Sequence, residues 1–138
     1  MNAISDQPLQ GARILIAEDD AILAFDLGII LQKAGAEILG PTLTVSHTLS
    51  LAQTTSMSAA VLDVSLRDEE VFPAAQELTG RGVGIVFYTG YAAVDRLRRD
   101  WPDAQVLTKP TPARVLVEAV RKALRPGADQ PPPLEPAL

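Results

Sequence analysis

The chain has 138 residues, 47% of them hydrophobic, which is enough for one domain with a real core and too short for two. Seventeen acidic against twelve basic residues give a net charge of -5 with no Lys/Arg block, which argues against nucleic acid as a partner and for another protein. Cysteine is absent, excluding a disulfide framework and thiolate metal sites. With a polar start and no long uncharged apolar stretch, a soluble cytoplasmic protein without membrane contact is expected.

Residues 1–12 read as a polar leader. The run Ile14-Leu15-Ile16-Ala17 within 13–17 predicts a first strand, ending on Glu18-Asp19-Asp20. A helix follows over 21–34, with apolar residues at 23, 27, 30, 31 and 34 on one face and Gly35 as its stop. That helix carries a second apolar stripe, Ile22, Phe25 and Ile29, open to two readings: partial burial against a neighbouring helix, or a docking face. A short strand over 36–40 closes at Gly40-Pro41, and a Ser/Thr-rich helix spans 44–55. His47 on it reads as a solvated surface residue.

The stretch 58–63, with its apolar run Ala59-Ala60-Val61-Leu62, predicts a third strand buried on both faces that ends on a single carboxylate, Asp63. A loop through Arg67-Asp68 leads to a third helix starting near Val71 or Phe72, since Pro73 is tolerated only in a first turn. The fourth strand, 83–88, runs into Thr89-Gly90. A short basic helix over 92–100 ends at Trp101-Pro102, and the fifth strand, 104–108, stops at Lys109-Pro110. Thr111 as cap and Pro112 as first helical residue open the last helix, which carries Leu116, Val120 and Leu124 on one face. Residues 13–125 therefore predict an α/β domain, a doubly wound parallel sheet of five strands alternating with five helices. From residue 126 a proline-rich tail reads as disordered or extended.

Parallel strands bring their carboxyl ends to one edge, so the acids at 18, 19, 20 and 63, the Thr89 hydroxyl and the Lys109 amine converge on one crevice. These carboxylates repel unless neutralised, and all-oxygen ligation suits a hard cation, Mg²⁺ most naturally. In such a site Asp63 can act as nucleophile toward an activated phosphoryl group, while Thr89 and Lys109 complement the new charge.

In these residues the chain resembles a bacterial two-component response-regulator receiver domain, with a flavodoxin-like fold. The resemblance matches Asp19 and Asp20 to the family's acidic pair, Asp63 to the phospho-acceptor, Thr89 to the switch hydroxyl, and Lys109-Pro110 to its Lys-Pro pair. It implies Mg²⁺ held by Asp19, Asp20, Asp63 and the Ser65 backbone carbonyl, and a cis peptide before Pro110. It further implies a sensor histidine kinase or histidine phosphotransfer protein as donor, docking on Ile22, Phe25, Ile29 and Pro110, with signalling through an effector protein. The position three before the lysine, aromatic in most receivers, is Val106. Phe87-Tyr88-Thr89-Gly90-Tyr91 is instead similar to the "FATGUY" subgroup of stand-alone receivers, in which an aromatic follows the hydroxyl; Thr111 stands where that subgroup has Phe. The resemblance also implies that Ser65 and Tyr91, two residues beyond Asp63 and Thr89, flank the approach of a hydrolytic water, and they are expected to tune the lifetime of the phosphorylated form.

The expected function is a stand-alone phosphoryl acceptor that relays a signal by protein contacts and catalyses only its own phosphorylation and slow dephosphorylation, since no length remains for an output domain. The alternatives are an Mg²⁺-dependent phosphohydrolase with an aspartate nucleophile, where Ser65 stands in place of a second acid, and a binding module that works without phosphorylation.

Overall fold

The computed structural model describes residues 7–67 and 69–124. The apolar runs form the strands β1 (Arg13–Ala17), β2 (Glu37–Thr42), β3 (Ala59–Leu62), β6 (Gly84–Thr89) and β7 (Gln105–Thr108) of one parallel sheet, ordered β2-β1-β3-β6-β7. Every residue of β3 and β6 is buried, as expected for strands covered on both faces. The chain steps one way from β1 to β2 and then the other way, from β2 back across β1 to β3. The carboxyl ends of β1 and β3 thus flank the switch point where such sheets bind ligands.

Strand periodicity sorts the core into two layers. Ile14 and Ile16 face the helices α1 (Ala21–Lys33) and α5 (Ala113–Ala123), meeting Ala24, Leu27, Leu31, Leu116 and Val120. Leu15 and Ala17 face the other way, toward α2 (Val45–Thr54), α3 (Phe72–Gly80) and α4 (Val94–Asp100), meeting Ala52, Ala74, Leu78 and Leu97. On that side Phe87, Phe72 and Trp101 form an aromatic cluster with ring centroids 5.4 to 6.1 Å apart. Gly84 is required where α5 closes on β6, because a Cβ there would come within 2.0 Å of the Ala123 carbonyl oxygen.

Several boundaries differ from the sequence expectation. Of the twelve residues set apart as a leader, Leu9 is fully buried and donates its N–H to the Ala34 carbonyl, so the packed body begins ahead of β1. The loop after Asp63 is a small antiparallel hairpin, β4 (Ser65–Leu66) and β5 (Glu69–Glu70). A 3-10 turn, Tyr91–Ala93, precedes α4. Pro112 rather than Thr111 is the N-cap of α5; the Thr111 hydroxyl instead turns back to the Thr108 carbonyl. Residues 1–6 of the leader and the tail from residue 126 lie outside the described residues. Among the described residues no helix is long and apolar enough to cross a membrane.

Candidate functional site

The site grows from the ends of β1, β3, β6 and β7. β1 delivers Glu18 and Asp19; its sequel Asp20 accepts hydrogen bonds from the N–H groups of Ile22 and Leu23, at 3.0 and 3.1 Å, and so caps α1. β3 delivers Asp63, whose N–H donates to the Ala17 carbonyl at 2.9 Å. β7 delivers Lys109, whose N–H donates to the Thr89 carbonyl at 2.8 Å; the Lys109-Pro110 peptide is cis.

The Lys109 ammonium is the hub. It donates to Asp63 Oδ2 at 2.8 Å and lies 3.0 Å from Glu18 Oε1, a close ion pair without an aligned hydrogen bond. Glu18 is 2% exposed, and its other oxygen accepts the Asp20 N–H at 3.0 Å. Burial pushes the Glu18 carboxyl above its ordinary pKa, with Asp63 adding repulsion; the Asp20 N–H and Lys109 oppose the rise without cancelling it. Burial disfavours the Lys109 ammonium too, but the hydrogen bond to Asp63 and the attraction of Asp63 and Glu18 outweigh it and hold its pKa above the ordinary value.

Oxygens of Glu18, Asp19 and Asp63 lie within 4.8 Å of one another, so these three could together hold a metal ion. Three carboxylates face one ammonium, and an all-oxygen donor set with this excess of negative charge fits a hard divalent cation. The sequence reading placed the ion on Asp19, Asp20 and Asp63. The acid that joins Asp19 is Glu18, and Asp20 stands outside the cluster with its carboxylate engaged on the first turn of α1. The signal was available: an Asp directly before a helical run is an N-cap. A second contributor had no side-chain signal, since it is the Arg67 backbone N–H, which donates to Asp19 Oδ2 at 2.8 Å.

Beyond Asp63 the edge opens. Val64, Ser65, Glu70, Thr89, Gly90, Ala92, Ala93 and Arg96 line a cleft of about 440 Å³, with the Glu70–Arg96 ion pair at 3.3 Å. Thr89 is buried, 5% exposed, at the end of β6. Tyr91 is 82% exposed, so it does not cover the turn it begins. Tyr88 packs inward, its ring 5.9 Å from the Lys109 ammonium and its hydroxyl accepting the Thr111 N–H at 3.3 Å. Val106 is half-buried opposite Phe87.

Of the docking residues read from sequence, Ile22 and Phe25 are 77% and 67% exposed on α1, Ile29 is half-buried, and Pro110 is exposed. His47 is exposed on α2.

No family model matches the chain. It is similar to the Transcriptional regulatory protein PdtaR of Mycobacterium tuberculosis, 29% identical over 115 residues, which are 81% of this chain. The chain spans 56% of that curated relative's length. SdrG from Sphingomonas melonis Fr1, a solution structure, is 31% identical with a TM-score of 0.71, covering 81% of this chain and 95% of SdrG. A response regulator receiver domain protein (CheY-like) from Methanospirillum hungatei JF-1 is 25% identical with a TM-score of 0.71, covering 80% of this chain and 91% of that one. The chain belongs to the response-regulator receiver family. In this receiver the sheet order, the lysine at the end of β7 and the carboxylate at the end of β3 put the acidic cluster at the switch point, where open parallel sheets bind ligands.

Proposed function

We propose that this receiver accepts a phosphoryl group on Asp63 from the phosphohistidine of a sensor kinase or phosphotransfer protein and signals through contacts with an effector protein. One observation carries the reading: the Asp63 carboxylate, 12% exposed, sits 2.8 Å from the Lys109 ammonium and beside the carboxylates of Glu18 and Asp19 at one sheet edge. An oxygen of Asp63 forms the new bond to phosphorus as the bond from phosphorus to the donor nitrogen breaks, and the imidazole leaves with that electron pair. Lys109 and the Thr89 hydroxyl complement the charge that develops on the phosphoryl oxygens. Glu18, Asp19 and Asp63, with the Ser65 carbonyl as a further oxygen, would hold Mg²⁺. The ion would neutralise the phosphoryl charge and offset the repulsion among the three acids. Ile22 and Phe25 on α1, with Ile29 and Pro110, are proposed to meet the donor protein, an exposed apolar face rimmed by polar residues being suited to a protein contact.

The test is incubation with acetyl phosphate and Mg²⁺, read by intact mass. A stable adduct of one phosphoryl supports the reading. Rapid turnover of acetyl phosphate without an adduct favours a phosphohydrolase, and no reaction a module that binds without phosphorylation. Phe25→Asp is expected to label from acetyl phosphate as the wild type does and more slowly from a phosphorylated kinase, because only the protein donor needs the apolar face.

A further inference from the structure

Arg67 occupies the turn of the β4–β5 hairpin at φ +26°, the one positive φ at a non-glycine residue among the described residues. The left-handed region penalises an L side chain, and glycine visits it freely. The strained turn does not belong to the core, since Arg67 is exposed; it is held from either side by Leu66 and Val71, both buried, and by the Val71 N–H, which donates to the Val64 carbonyl at 2.8 Å. What the conformation delivers is the Arg67 N–H, placed 2.8 Å from Asp19 Oδ2 across 48 residues of chain. This is the one side-chain hydrogen bond of Asp19 among the described residues. A backbone N–H given to an ionised carboxylate is a charge-assisted bond, about twice as strong as a neutral one.

We propose that residue 67 is a positioning residue of the cation site, acting through its backbone. Its left-handed turn aims an N–H at Asp19 and so holds that carboxylate beside Glu18 and Asp63, ready to share a divalent cation. Without the bond, Asp19 is half-exposed and free to rotate toward water, and a cation would have to order it on arrival. The hairpin thus meets the site at two points: Ser65 stands two residues past Asp63, and Arg67 secures the acid that follows β1. The inference rests on the cation reading above and concerns the turn's conformation, not the guanidinium.

Arg67→Gly and Arg67→Val separate the two. Both remove the same positive charge, and they differ in their tolerance of a positive φ, which is lowest for a β-branched residue. Mg²⁺ affinity is measured by calorimetry on both variants and the wild type, with amide exchange at residue 67 read in metal-free protein. Arg67→Gly is expected to bind Mg²⁺ at least as tightly as the wild type and keep residue 67 protected. Arg67→Val is expected to bind about fivefold or more weakly than Arg67→Gly and to lose that protection. Should the valine variant not fold, Arg67→Ala against Arg67→Gly makes the same comparison with a smaller gap. Equal affinity in the glycine and β-carbon-bearing variants would overturn the proposal and leave the cation reading standing. No Mg²⁺ binding in any protein, the wild type included, would overturn both.

Discussion

The carboxyl edge of the sheet has two unlike halves. Where β1, β3 and β7 end, Glu18, Asp63 and Lys109 are joined by contacts of 2.8 and 3.0 Å, and Asp19 is held by a backbone N–H. Where β6 passes into α4, Thr89, Gly90, Ala92 and Ala93 border a cleft of about 440 Å³ and Tyr91 projects into solvent. The Glu70–Arg96 pair across this second half is 55% and 43% exposed, and such a pair contributes little. The difference teaches how one edge can combine a tied set of charges with an open cleft. Electrostatic groups act best when already oriented, and the acids and ammonium around Asp63 are tied to one another, whereas the end of β6 borders an open cleft.

The contrast breaks most completely at Lys109. Lys109→Met leaves three carboxylates facing one another with no ammonium, so labelling by acetyl phosphate is expected to fall about a hundredfold or more. The metal-free protein should also lose stability, by roughly 1–3 kcal/mol from the unpaired acids, with Mg²⁺ restoring part of it. Labelling rates and thermal midpoints with and without Mg²⁺ check both; wild-type labelling would show that the tied half does not depend on its cation.

A second comparison sharpens which acids belong to that half. Glu18→Gln is expected to weaken Mg²⁺ binding about tenfold. Asp20→Ala should leave it nearly unchanged while costing about 1 kcal/mol of stability through the lost cap. Calorimetric titration alongside chemical denaturation separates the two, and a larger loss of affinity in Asp20→Ala would return the acidic pair to positions 19 and 20. The smallest effect is expected in the open half, where Ser65 is too short to orient a hydrolytic water and Tyr91 is bulky. A variant carrying Ser65→Asn and Tyr91→Glu should lose phosphoryl severalfold faster than the wild type. First-order decay of both proteins, with donor removed, measures it. Equal decay would show that Tyr91 takes no part in the lifetime, in keeping with its exposure.

The strands were legible because each is an apolar run stopped by a charge, a hydroxyl or a glycine, and the parallel sheet followed from their alternation with helical stretches. That Asp63, Thr89 and Lys109 come to one edge was legible because each stands at the end of such a run. Glu18-Asp19-Asp20 was not, because three adjacent acids have the same composition in any register; the choice is made by which residue gives its carboxylate to the first turn of α1. The hairpin was hidden for another reason. Ser65-Leu66-Arg67-Asp68-Glu69-Glu70 has neither the alternation nor the Asn-Gly or Gly that marks a tight turn, and its left-handed position is filled by arginine. A contact made by a backbone N–H has no side-chain signature, so the Arg67–Asp19 bond could be found only in the structure.

The central claim is that Asp63 is the phosphoryl acceptor, and trapping the acyl phosphate tests it most directly. Wild-type protein labelled by acetyl phosphate with Mg²⁺ is reduced with borohydride, which converts an aspartyl phosphate to homoserine, then digested and sequenced by mass spectrometry. The account predicts homoserine at position 63 in the wild type and no conversion anywhere in Asp63→Asn. Homoserine at another acid of the cluster, or full labelling of Asp63→Asn, would contradict it.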